Sequence, residues 1–380
     1  MKNTALIIFF LSILACNPKP TQDADLYILP EITIKTHPKN IILLIGDGMG
    51  ITQITAGMYK NGNKLNLEKF PIVGLHKSYA SNNLVTDSAA GATAFACGVK
   101  TYNGAIGVTP DTIPVKTILE EAEEYGLATG MVSTSSIVHA TPASFIAHQK
   151  LRKMYEPIAA DFLKTEIDYF VGGGKAYFDN RDDGRVLSDE LKAKGYFYSD
   201  YLEKEFHELD INFDKNFAYL TAYKEPLQLS QGREYLLAAS QTAPLFLNNH
   251  SENGFFLMIE GSQIDWGGHA NDSEYIITEM IEFDDAVGRI LEFAEEDGET
   301  LVIVTADHET GGYAINMGST QDSIVAGFTS TYHTACLIPV FAYGPGSEIF
   351  GGIYENTAIY NKMRQAFDFE AMKVNEEAEN

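Results

Sequence analysis

The sequence predicts an α/β fold, a three-layer sandwich with a central, mostly parallel sheet flanked by helices, and two observations carry that expectation. Apolar strand-like runs alternate with helical stretches through most of the 380 residues, the pattern of a parallel sheet. Three of those runs also end in carboxylate or imidazole side chains. Ile41–Gly46 runs into Asp47, Phe255–Ile259 into Glu260 with Asp265 and His269 close behind, and Leu301–Thr305 into Ala306, Asp307 and His308. A fourth, Cys336–Phe341, is preceded by His333. In open α/β sheets ligands sit outside the carboxyl ends of the strands, so these side chains are expected to converge on one crevice that holds several metal ions.

The chain opens on Met1-Lys2-Asn3-Thr4 and an apolar run, Ala5–Ala15, too short to span a bilayer. It reads as a secretion signal. The run ends Ile13-Leu14-Ala15-Cys16, which resembles a bacterial lipobox. Residues 1–15 are therefore expected to be removed and Cys16 lipidated, giving an exported protein that is periplasmic or anchored in the outer membrane. Residues 16–39, with prolines and few apolar repeats, read as a tether. Residues 40–370 read as one catalytic domain and 371–380 as an acidic tail.

Within the domain, a strand at 40–46 turns through Gly46, Gly48 and Gly50 into a helix from about Ile51. Val73–Ala80 reads as a strand. Ser88 opens a small-residue helix, Ser88-Ala89-Ala90-Gly91-Ala92-Thr93-Ala94. Residues 114–125 and 142–153 are expected to be helical, 128–134 extended, and Tyr169–Val171 a short strand. The stretch 175–231 is irregular and is expected to lie over the sheet as an accessory segment. Helices near 233–248 and 273–296 flank the strand 255–260. Cys97 and Cys336 both sit in small or apolar contexts and are expected to be buried free thiols.

Lys and Arg number 27 against 52 Asp and Glu, a formal charge of −25. Such a surface repels nucleic acid and anionic membranes, so nucleic-acid recognition is excluded and membrane association is left to the lipid on Cys16. An anionic substrate must find its positive field inside the site, where metal ions are the densest source. Asp265, His269, Asp307, His308 and His333 form the carboxylate and imidazole set that zinc prefers. Asp47, Thr141 and Glu260 form an all-oxygen set suited to magnesium. Asp87-Ser88 alone would be an ordinary helix cap. Beside a metal and at a helix N-terminus, its hydroxyl becomes a candidate nucleophile.

At this point the sequence resembles the alkaline phosphatase family over roughly residues 38–345. The resemblance rests on Gly46-Asp47-Gly48-Met49-Gly50, Thr86-Asp87-Ser88 with its helix, Ala140-Thr141-Pro142, Glu260-Gly261-Ser262-x-Ile264-Asp265 with His269, Thr305-Ala306-Asp307-His308, and His333-Thr334. It implies an alkaline phosphatase-like sandwich that hydrolyses phosphate monoesters through a phosphoserine at Ser88. One zinc would be held by Asp265, His269 and His333 and a second by Asp47, Asp307 and His308. Asp47 would bridge to a magnesium ion also bound by Thr141 and Glu260, and Arg152 would clamp the phosphate. The implied partners are small phosphorylated substrates and inorganic phosphate, with a homodimer left open.

Two positions depart from the best-known enterobacterial pattern. His139 replaces an Asp near the magnesium set and Trp266 replaces a Lys, as in animal and marine bacterial members, which puts the magnesium site in question. The stretch Tyr313–Tyr332 is too short for the large crown of some relatives. Sulfatases of the same superfold need a Cys or Ser followed by x-Pro-x-Arg, absent after Ser88; phosphodiesterases typically use threonine, and the mutases carry a large inserted domain. A non-catalytic zinc-binding surface lipoprotein is the alternative from another class, and it would need neither Ser88 nor Arg152.

Overall fold

The computed structural model describes residues 34–369. The signal, the lipobox, most of the tether and the acidic tail lie outside the described residues.

The strands of the main sheet are β1 (Asn40–Gly46), β2 (Ile72–Lys77), β3 (Ala128–Ser136), β4 (Tyr169–Gly173), β5 (Phe197–Asp200), β6 (Phe217–Leu220), β7 (Phe255–Gly261), β8 (Thr300–Thr305), β9 (Leu337–Tyr343) and β10 (Gly352–Glu355). They lie in the order β10-β2-β9-β8-β1-β7-β3-β4-β6-β5. Only β9 runs antiparallel to its neighbours β2 and β8; every other pair is parallel. The helices are α1 (Ile51–Lys60), α2 (Ser88–Cys97), α3 (Ile118–Glu124), α4 (Ala140–Ala143), α5 (Tyr155–Asp161), α6 (Lys175–Asp179), α7 (Leu187–Ala193), α8 (Tyr235–His250), α9 (Gln263–His269), α10 (Ser273–Asp297) and α11 (Thr357–Phe367).

Side chains alternate across a strand, and β1 shows why its run is apolar throughout. Ile41, Leu43 and Ile45 enter one core with Phe95 of α2, Leu119 of α3 and Met363 of α11. Ile42 and Leu44 enter the other, with Phe246 of α8 and Met280 and Phe283 of α10. A strand covered on both faces has no position for a polar side chain until its end. That is where the sequence changes to Asp47.

The structure corrects three expectations. Residues 144–154 are not helical, because α4 stops at Ala143. There the backbone pairs with a distant loop instead: Gln149 and Ile106 exchange hydrogen bonds at 2.9 and 3.0 Å, and the Arg152 amide donates to the Gly104 carbonyl at 2.7 Å. The segment 175–231 does not simply lie over the sheet, since its β5 and β6 extend it. Phe217, Ala218, Tyr219 and Leu220 of β6 are all buried, so burial between layers made a strand of an aromatic stretch without clear periodicity. Cys97 is buried and free as expected, but Cys336 is exposed, also as a free thiol; it precedes β9 rather than lying inside it.

The helix foreseen at 114–125 is shortened to Ile118–Glu124 by a capping box. The Thr117 hydroxyl accepts from the Glu120 amide at 3.1 Å, and the Glu120 carboxylate accepts from the Thr117 amide at 2.8 Å.

Candidate active site

The three central strands β8, β1 and β7 are neighbours, with Ile45 in register with Glu260 on one side and Thr305 on the other. Their carboxyl ends therefore deliver Asp307, Asp47 and Glu260 to one place. The turn after β1 is tight: Gly48 has φ 73°, and a Cβ there would approach Asp265 Cα to 2.7 Å. Asp265 and His269 stand four residues apart on α9, on the same face. A two-residue antiparallel ribbon pairs His333 with Thr310 and Thr334 with Glu309, which brings His333 back over His308. Their rings stack at 3.5 Å between centroids and 17° between planes.

Two sets of ligand atoms cluster within 4.8 Å, Asp265/His269/His333 and Asp47/Asp265/His308. The first matches the expected grouping. The second contains Asp265 where Asp307 was expected, yet Asp307 Oδ2 lies 3.2 Å from His308 Nε2 and Asp47 Oδ1 lies 3.6 Å from the same nitrogen. Both oxygens of Asp47, Oδ2 of Asp307, Oε1 of Glu260 and Oγ1 of Thr141 are buried without a hydrogen-bond partner. Buried polar atoms are almost always paired, so five unpaired oxygen acceptors in one crevice fit cations as their partners.

The electrostatics agree with that fit. Burial, reinforced by Asp307 and Asp265, pushes the Asp47 carboxyl well above the usual range. Burial and then Asp265 push Asp307 up to about 7. Burial depresses His308 and His333 and leaves them as the neutral imidazoles that bind metals. His269 differs: in the metal-free site it is lifted to about 9, chiefly by its hydrogen bond to Asp265, so a cation bound there has to displace its proton. Its Nδ1 is tied to the Thr331 carbonyl at 2.8 Å, and that of His333 to the Thr86 carbonyl at 2.8 Å. These bonds aim Nε2 of each ring at the cluster.

Ser88 is the first residue of α2, where unpaired amides and the helix dipole favour negative charge. Its Oγ is 3.4 Å from His308 Nε2. Asp87 caps the helix by accepting from the Ala90 amide at 3.0 Å. With its other oxygen Asp87 holds Arg152 Nη1 at 3.1 Å, so the guanidinium is tied to the residue that precedes the serine although 65 positions separate the two partners in the chain. His139 precedes α4 and its ring lies 6.2 Å from that of Trp266. Its Nε2 lies 3.5 Å from Arg152 Nη2, and burial, with Arg152 adding, pushes its pKa down to about 3.

Some contributors were missed. Asp87 was read only as a cap. Thr310, which hydrogen-bonds Asp265, and Ser133, which donates to Glu260 Oε2 at 2.6 Å, carry no signal at the sequence level because their partners are remote. His76 is buried and unrelated to the crevice, set edge-on to Phe95 and bonded to the Ala306 carbonyl at 2.8 Å.

Residues 38–325 match the family model described as alkaline phosphatase. The chain belongs to the alkaline phosphatase family. It is 34% identical to alkaline phosphatase 3 of Bacillus subtilis over an alignment that covers 89% of this chain and 90% of the relative. The alkaline phosphatase of the Antarctic bacterium TAB5 is 45% identical, with a TM-score of 0.82 over 88% of this chain and 99% of that one. The Thermus thermophilus alkaline phosphatase, at 23% identity and a TM-score of 0.80, shares the fold. As an alkaline phosphatase the chain is a phosphoric monoester hydrolase, and its candidate metal clusters mark it as metal-binding.

A metal-free fold that raises Asp307 from 3.8 to about 7 keeps a proton that the unfolded chain has already released across that window. The contribution of Asp307 to stability therefore falls as pH rises from 3.8 to about 7, whereas a bound cation relieves that penalty. Chelation is expected to lower the melting temperature by an amount that grows across this window. Scanning calorimetry with and without chelator checks it, and a pH-independent decrement would contradict the assignment.

Proposed function

We propose that hydrolysis runs through a phosphoserine at Ser88, with two zinc ions and one magnesium ion held by the clustered ligands. The observation that carries this reading is the set of buried, unpaired oxygens of Asp47 and Asp307 around His308, whose Nε2 is 3.4 Å from Ser88 Oγ. Asp265, His269 and His333 would hold one zinc; Asp47, Asp307 and His308 the other; Asp47, Thr141 and Glu260 the magnesium. Divalent cations bound there supply positive charge that favours an ionised serine and neutralises the departing alcohol oxygen.

The chain's own groups do the rest. Ser88 Oγ attacks phosphorus at the N-terminus of α2, the bond to the ester oxygen breaks, and the alcohol leaves. Arg152, aimed by Asp87, offers a planar fork to two phosphoryl oxygens. Water then attacks the phosphoserine from the vacated side, the Ser88 oxygen leaves phosphorus, and inorganic phosphate departs. Two inversions give net retention. A zinc-binding surface lipoprotein without catalysis would have no use for a serine at a helix N-terminus whose capping Asp87 also holds an arginine.

His139 stands near the oxygen set as a neutral imidazole, which supports a weakly held magnesium ion. Structures of the TAB5 enzyme in which a histidine is replaced by aspartate or by glutamate have magnesium bound in the site called M3. We also propose that the chain is exported and lipid-anchored through Cys16, and that it can pair as a homodimer. Among the described residues no helix is long and apolar enough to cross a membrane.

Ser88→Ala is expected to abolish phosphoenzyme trapping and lower kcat by several orders of magnitude, as loss of a covalent nucleophile does elsewhere, with zinc content unchanged. Elemental analysis beside 4-nitrophenyl phosphate assays checks this; wild-type turnover would refute the nucleophile. Arg152→Ala removes charge-assisted hydrogen bonds worth about 1.5–3 kcal/mol, so the inhibition constant of inorganic phosphate should rise by roughly 10- to 100-fold. An unchanged constant removes the clamp. His139→Asp should tighten magnesium in a calorimetric titration of the zinc-loaded protein, and equal affinities would sink the explanation given for His139.

A further inference from the structure

Ser88, Arg152 and the metal ligands address the phosphoryl group and the ester oxygen, and none addresses the carbon part of the alcohol. One side chain beside them is unaccounted for. The ring of Tyr332 lies parallel to that of His333, with centroids 4.2 Å apart and planes at 9°. His333 lies in turn on His308, and His308 reaches Ser88. Tyr332 is thus the outer plate of a three-ring column whose inner end meets the nucleophile.

The backbone that carries the plate is held firmly. The Tyr332 amide donates to Ser330 Oγ at 2.9 Å, its carbonyl accepts from the Gly311 amide at 3.0 Å, and the preceding carbonyl, of Thr331, accepts from His269 at 2.8 Å. Its ring neighbours among the described residues, His269 at 5.8 Å and His333, both belong to one metal set. Even so, Tyr332 is 48% exposed. A half-exposed aromatic face stacked on the edge of a polar crevice is the feature that an apolar part of a ligand would cover.

Resting on the two-zinc reading, in which the Asp265/His269/His333 set receives the departing oxygen, we propose that the outer face of Tyr332 is the subsite for the alcohol half of the substrate. It selects monoesters whose ester oxygen carries an aromatic ring, directly or through one carbon. A group attached to that oxygen emerges beside His333 and His269, against the tyrosine. Offset stacking adds about 0.5–1.5 kcal/mol beyond burial of area, which corresponds to roughly a 2- to 12-fold gain in kcat/KM.

The test compares benzyl phosphate with cyclohexylmethyl phosphate, alcohols of similar size and acidity, on the zinc-loaded enzyme. The wild type should favour the benzyl ester by about 2- to 12-fold. Tyr332→Phe should keep that ratio, and Tyr332→Leu, which retains bulk without a π face, should bring it close to one. Benzylphosphonate and cyclohexylmethylphosphonate as inhibitors should show the same ratio in binding, with the inhibition constant of inorganic phosphate unchanged in both variants. A wild-type ratio near one overturns the proposal whatever the variants do, and so does a ratio that survives in Tyr332→Leu. Failure of the underlying two-zinc reading shows separately, in the metal content of the wild type.

Discussion

Four carboxylates, Asp47, Glu260, Asp265 and Asp307, are buried together at the carboxyl ends of adjacent strands, and everything else in the crevice answers to their mutual repulsion. Burial favours the neutral form of each, and neighbouring carboxylates add to that at Asp47 and Asp307, whereas Asp265, despite its burial, is held below the usual carboxylate range by its hydrogen bond to His269 and by the imidazoles around it. Protonation is one escape; cations are the other. A chain with a formal charge of −25 thereby gains a local positive field where its anionic substrate must bind, because the carboxylates that repel a phosphate when bare are the ones that gather its counterions.

That constraint explains why so much of the surrounding structure is bracing. His269 and His333 are each tied through Nδ1 to a backbone carbonyl. Glu309, next to His308, accepts from Gln53 at 2.7 Å and from the Tyr313 amide at 3.0 Å, and it also holds Thr334 beside His333. Ser133 fixes one oxygen of Glu260 and leaves the other free. A ligand set displaced by an ångström loses its geometry, so rigidity around the cluster is part of the chemistry. Asp87 extends the same logic to the organic half of the site, since one carboxylate both caps the helix under Ser88 and aims Arg152.

The legible part of this protein is the part in which chemistry and periodicity coincide. A strand buried on both faces must be apolar to its last residue, so Asp47, Glu260 and Asp307 stand out against Ile, Leu and Val. Their glycine-rich turns and ordered motifs carried the family as well. The segment 175–231 was illegible for the complementary reason: β5 and β6 are short, and Phe217–Leu220 is a strand because it pairs between β4 and β5, not because its own pattern demands it. Residues 144–153 read as helix by local pattern, but a distant loop claimed backbone hydrogen bonds among them.

By itself the sequence determined the α/β class, the chemical types of the ligands and the identity of the nucleophile candidate, because these depend on local patterning and on which residues carry charge at strand ends. Only the tertiary structure decided which candidate ligand atoms cluster, that Asp87 holds Arg152, that Asp265 belongs to both clusters, and that Tyr332 lies over His333 with its ring half-exposed. Those are facts of distance between segments far apart in the chain, and they follow from the order β8-β1-β7 and the return of the His333 ribbon, which no local pattern encodes.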